Sequence, residues 1–174
     1  MKRVYLTNSP YQTKKLGEKL AQKILKTEPQ KSAFVIGLIG DLGGGKTTFL
    51  QGFARFLGIS EKILSPTFVI LKCFKITKIK NPAPKGRGSL NKIERQDLKR
   101  IRFKNFYHFD CYRIKRPKEL LGLGFKEIVS NPQNIVVIEW AEKIKDLLPE
   151  NTLIVRFEFI SKQKRKVIIE NLKT

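Results

Sequence analysis

Two apolar runs stand out from a lysine-rich background. They are Ala33-Phe34-Val35-Ile36-Gly37-Leu38-Ile39 and Ile135-Val136-Val137-Ile138. Short runs with little polar alternation suit strands buried on both faces of a parallel sheet. Elsewhere the period lengthens. Leu16, Leu20, Ile24 and Leu25 recur at helical spacing behind Asn8-Ser9-Pro10, a capping side chain followed by proline near the first position, which predicts a helix to about Lys26. Residues 48–57 repeat that spacing and stop at Gly58, a helix C-cap. Residues 3–6 and 68–71 read as short strands. Residues 106–112 form another, with His108, Asp110 and Tyr112 on one face and Tyr107, Phe109 and Cys111 on the other. One or two short helices broken at Gly122-Leu123-Gly124 follow over 117–129, and a short helix over 141–148 stops at Pro149. Residues 153–159 and 166–169 predict a final hairpin around Ser161-Lys162-Gln163. Strands alternating with helices predict an α/β fold with a mainly parallel central sheet and a C-terminal β-hairpin. At 174 residues the chain reads as one domain, 1–174.

Between the first buried run and the second helix lies Gly40-Asp41-Leu42-Gly43-Gly44-Gly45-Lys46-Thr47. It matches G-x-x-x-x-G-K-[ST], the phosphate-binding P-loop or Walker A pattern, in the strand–loop–helix context that the pattern requires. The glycines let successive N–H groups of residues 41–48 turn into one concavity, and the following helix adds its free N-terminal donors. Lys46 can reach the β- and γ-phosphates, and the Thr47 hydroxyl suits Mg²⁺. The pattern places the chain among P-loop NTPase-like, three-layer α/β/α folds.

Lys+Arg 36 against Asp+Glu 15 gives a net charge of +21, which predicts attraction to polyanions: nucleic acid, an anionic surface or an acidic protein. Residues 76–104 concentrate this charge, hold the breakers Asn81-Pro82-Ala83-Pro84-Lys85-Gly86-Arg87-Gly88, and read as a basic insertion. Its second half could form a basic amphipathic helix through Leu90, Ile93, Leu98 and Ile101. The two cysteines, Cys73 and Cys111, form no metal-binding spacing and fit a reducing, cytoplasmic setting. Met1-Lys2-Arg3-Val4-Tyr5-Leu6 lacks a signal-peptide core, and no run approaches membrane-spanning length.

A P-loop nucleotidase needs a carboxylate at a strand end to hold Mg²⁺, directly or through water. Asp110 and Glu139 both close strands. One would serve the metal, the other would orient or deprotonate a water. His108, the single histidine, either faces the Asp110 side toward this chemistry or is a packed strand histidine.

Taken in order, the P-loop with Thr48-Phe49, then Ser65-Pro66-Thr67-Phe68, then Tyr107-His108-Phe109-Asp110-Cys111-Tyr112-Arg113, then Ile138-Glu139-Trp140, resemble the motif set of the TsaE (YjeE) family. These are ATPases of bacterial tRNA threonylcarbamoyladenosine biosynthesis. The resemblance implies ATP at the glycine loop, with Asp41, Leu42, Gly43, Gly44, Gly45, Lys46, Thr47 and Thr48 around its phosphates. It implies Thr47 and Glu139 as Mg²⁺ ligands, Asp110 as an essential acid near the γ-phosphate, and Thr67 in a loop that senses that phosphate. Thr13 and Arg165 match positions near the nucleotide pocket. Implied partners are TsaD- and TsaB-like proteins and tRNA, with ATP hydrolysis, weak in isolation, resetting their complex between rounds of modification at position 37. Ala141 and Cys111 depart from the usual proline and leucine, and the basic segment is longer than the family's connection here. Two other readings remain: a small-molecule kinase with the basic segment as a lid, and a nucleotide-regulated nucleic-acid-binding module.

Overall fold

A computed structural model describes residues 2–28, 30–59, 61, 63, 70–76 and 102–171. Thr67, the first part of the strand predicted over 68–71, and residues 77–101 of the basic segment lie outside them.

The elements in order are β1 (Arg3–Thr7), α1 (Pro10–Leu25), β2 (Phe34–Ile39), α2 (Lys46–Phe56), β3 (Leu71–Lys75), β4 (Asn105–Asp110), a 3₁₀ helix (Pro117–Leu123), α3 (Phe125–Ser130), β5 (Asn134–Glu139), a second 3₁₀ helix (Ala141–Leu147), β6 (Leu153–Phe159) and β7 (Arg165–Asn171). One seven-stranded sheet runs β1-β7-β6-β2-β5-β4-β3. Its four inner strands, β6, β2, β5 and β4, are parallel. The flanking pairs are antiparallel: the hairpin β6–β7, then β1 on β7, and β3 on β4. The apolar runs of β2 and β5 are the two innermost buried strands, as uninterrupted hydrophobicity predicts.

Helices cover the sheet on both faces. α1 and α2 pack Leu20, Ile24, Phe49 and Phe53 against Ile36, Leu38, Phe106, Val137 and Val155. On the other face Leu120, Phe125 and Ile144 meet Phe109, Val136 and Ile138. Each such side chain contributes about 1.5–3 kcal/mol by burial. The helices α1 and α2 cross closely because small residues stand at the crossing. A Cβ on Gly17 would lie 2.2 Å from the Phe49 carbonyl oxygen, and one on Gly52 only 2.0 Å from that of Lys14.

β3 differs from expectation. It runs from Leu71 to Lys75, beyond the end predicted at Leu71. Phe74 explains the extension: it is buried and packs its ring 6.0 Å from that of Phe106, while Cys73 and Lys75 are exposed on an edge strand. The Ile76 N–H donates to the Lys104 carbonyl at 2.9 Å, and Arg102 donates to the Thr27 carbonyl at 3.0 Å. Because β4 starts beside the start of β5, the described flanks of segment 77–101 leave the sheet at the end opposite loop 40–45. Among the described residues no helix is long and apolar enough to cross a membrane.

Candidate nucleotide site

The site forms where the parallel strands end. Register places Leu38 beside Glu139 and Glu139 beside Asp110, so the end of β2 and both acids share one edge. This is the carboxyl end of the sheet, where open α/β folds bind ligands.

Loop 40–45 turns there because its glycines reach backbone angles that other residues rarely adopt. Gly40, Gly43 and Gly45 have φ of 137°, 73° and 104°. A Cβ at Gly40 would also sit 2.4 Å from the Phe157 carbonyl oxygen. Gly45 caps α2 without any side-chain hydrogen bond. No capping side chain competes for the first N–H groups of the helix, an arrangement that suits an anion.

Lys46 is buried at the start of α2. Its Nζ donates to the carbonyls of Gly40 at 2.5 Å and Asp41 at 3.0 Å, 3.8 Å from the centroid of the Trp140 ring. Burial lowers its pKa below the ordinary lysine value, and Glu139, Glu142, Asp110 and Asp41 only partly restore it. Trp140 holds a left-handed backbone at φ 60°, the sole non-glycine residue with positive φ among those described. For a bulky residue this is strain of about 1–3 kcal/mol, and such strain clusters at functional sites. The indole also lies 5.1 Å from the ring of Tyr112.

Thr47 Oγ1 donates to Glu139 Oε2 at 3.0 Å, and His108 Nε2 meets Glu139 Oε1 at 3.0 Å. A hydroxyl and a buried carboxylate converging at the helix start are hard oxygen donors, and they fit Mg²⁺. Asp110 is also buried, beside Glu139, and accepts the Tyr112 N–H at 2.9 Å. Asp110 is not among the described residues that line the cleft, as Glu139 and Trp140 are, but stands directly beside Glu139 on the next strand.

The outer wall brings in Thr13 and Arg165. Thr13 lies buried with its hydroxyl 2.8 Å from that of Thr7. Arg165 donates to the Gly43 carbonyl at 2.9 Å and stacks 4.7 Å from the Phe159 ring. Leu42 projects at the exposed loop tip, and Thr48 lines the cleft. Pro10, Lys162 and Gln163 complete it, and no pattern in the sequence places them there. The hairpin turn that holds Lys162 and Gln163 is legible in the sequence, but its return onto the P-loop is not.

Known proteins share this chain's sequence pattern and fold. The family model "Threonylcarbamoyl adenosine biosynthesis protein TsaE" matches residues 7–83 and 92–167. The interval between the matched parts falls inside the basic segment. The chain is 32% identical over 163 residues to the tRNA threonylcarbamoyladenosine biosynthesis protein TsaE of Rickettsia conorii, covering 93% of this chain and 74% of that protein. It is 32% identical over 137 residues to the protein of that name from Bacillus subtilis, covering 79% and 69%. The crystal structure of Bacillus subtilis YdiB superposes with a TM-score of 0.66 at 26% identity, covering 99% of this chain and 86% of that one. Family match, fold and site together assign the protein: the chain belongs to the TsaE family of threonylcarbamoyl adenosine biosynthesis proteins.

Proposed function

We propose that the chain, as a single P-loop domain over 1–174, binds ATP with Mg²⁺ and hydrolyses it to support tRNA N6-threonylcarbamoyladenosine formation at position 37. The observation that carries this reading is the convergence of Lys46, Thr47 and Glu139 around the mouth of the glycine loop. Thr47 and Glu139 would hold the cation, which neutralises charge between phosphates. Lys46 would turn from the Gly40 and Asp41 carbonyls to the phosphates. Asp110 would act beside Glu139 on the attacking water, and Thr67 would sense the γ-phosphate. Thr13 and Arg165 would bound the nucleoside side of the cleft.

In this reading the hydrolysis cycle resets a cytoplasmic complex of TsaD- and TsaB-like proteins. The basic segment 76–104 would meet tRNA through its phosphates. Its flanks leave the sheet opposite the cleft, which disfavours the alternative of a kinase lid over ATP.

Phosphate accounting tests the proposal. With ATP, tRNA and TsaD/TsaB-like proteins, inorganic phosphate should be released in step with modification. Label transferred to a small molecule, or release unaffected by partners and tRNA, would contradict it.

A further inference from the structure

We infer that His108 is a positioning residue for Glu139: its Nε2–H holds one carboxylate oxygen so that the other stays aimed at Thr47, the partner with which it would hold the cation. The inference rests on the nucleotide–Mg²⁺ reading above and adds a residue to its machinery.

The arrangement begins in strand register. His108 lies opposite Val137 and Asp110 opposite Glu139. His108, Asp110 and Glu139 therefore project from the same face, and the imidazole reaches Glu139 on the diagonal between neighbouring strands. His108 Nε2 lies 3.0 Å from Oε1, while Thr47 Oγ1 lies 3.0 Å from Oε2 and 3.4 Å from Oε1. Each carboxylate oxygen thus has its own nearest partner. A carboxylate only accepts, so the proton of this contact sits on Nε2.

The other ring nitrogen makes the case sharper. The His108 side chain is fully buried, and among the described residues Nδ1 has no hydrogen-bond partner. A buried polar atom without a partner is a standing cost that an apolar ring of similar size would avoid. Packing alone therefore gives no reason for an imidazole here. The bond to Glu139 does: it fixes the orientation of a group that must present one oxygen to a cation. Partners that orient a metal-binding side chain commonly govern affinity this way, and their loss costs about ten- to hundredfold.

The test separates positioning from packing. Calorimetry gives the affinity for ADP in MgCl₂ and in EDTA, and the ratio of the two is the Mg²⁺-dependent gain. His108→Phe keeps the volume and removes the donor. Its gain should fall about tenfold or more, with affinity in EDTA changed less than twofold. His108→Gln, which can still donate from a similar reach, should keep most of the gain. His108→Asn, polar but too short, should lose it, so the comparison stands even if the Phe variant fails to fold. Equal gains in the wild type, the Asn variant and any folded Phe variant would overturn the inference. A wild type with tight ADP binding but no Mg²⁺-dependent gain would instead overturn the cation reading, and this inference with it.

Discussion

The Nζ of Lys46 sits 3.8 Å from the centroid of the Trp140 ring while bonding two carbonyls of its own loop. The amine proposed to bind phosphate is thus parked on the protein, beneath an indole whose backbone is strained. On that proposal, phosphates would draw it off both carbonyls. Trp140 is the single tryptophan, so its fluorescence should report that movement directly. ATP should change the emission of the wild type and leave that of Lys46→Ala unchanged at the same concentrations.

The lowered pKa of Lys46 has two consequences of opposite sign. Phosphates need the charged amine, so ATP affinity should fall as pH rises through the free protein's lowered value, below 10.5. Stability of the nucleotide-free fold moves the other way. Between the folded pKa and 10.5 the unfolded chain holds more protons at this lysine, so its contribution to stability rises with pH across that window. Urea unfolding of wild type and Lys46→Met at neutral and alkaline pH checks this. The gain on raising pH should be smaller in the Met variant.

Two glycines of one loop should respond unequally to alanine. Gly43 has φ 73° with open space where a Cβ would stand, so Gly43→Ala should cost about 1–2 kcal/mol for the left-handed backbone alone. Gly40→Ala adds a collision 2.4 Å from the Phe157 carbonyl oxygen and should cost clearly more. Denaturant midpoints of the pair decide it, and equal losses would contradict the packing of loop 40–45 on β6.

The cysteines should differ in reactivity. Burial, with Asp110 adding to it, pushes the Cys111 thiol up to about 12, whereas Cys73 is exposed on the edge strand. At pH 8 a thiol reagent should label Cys73 alone in the native protein and both cysteines after denaturation.

Much of this is readable from the sequence, for physical reasons. Unbroken apolarity marks β2 and β5, and the glycine pattern marks the loop, because backbone angles there admit little else. Glu139 can be placed at a strand end because its apolar run stops there, whereas the strand predicted over 106–112 stops at Asp110 only in the structure, where β4 spans Asn105–Asp110. The remaining parts depend on tertiary register. His108 reaches Glu139 only once β4 pairs with β5, and nothing local separates that bond from a packed histidine. The left-handed Trp140 carries no sequence signal, since bulky residues rarely adopt that backbone. Arg165 comes to Gly43 only because the last hairpin folds beside β2.

The basic segment gives a prediction that its attachment sharpens. Its flanks leave the sheet opposite the cleft. Deleting residues 80–100 should therefore weaken tRNA association and flatten its salt dependence while leaving ATP affinity unchanged. Filter binding across a salt series, beside ATP titration of the same variant, reads both. Unaltered tRNA binding at every salt concentration would remove the segment from the interface.

Lys46, Thr47 and Glu139 are proposed to make one ATP–Mg²⁺ site. Calorimetric titration of ATP in the presence of Mg²⁺ decides whether they do. The wild type should bind at one site per chain, Lys46→Ala should abolish binding, and both Thr47→Ala and Glu139→Ala should lose the Mg²⁺-dependent part of the affinity. Wild-type affinity retained in Lys46→Ala, or an undiminished response to Mg²⁺ in the other two, would contradict it.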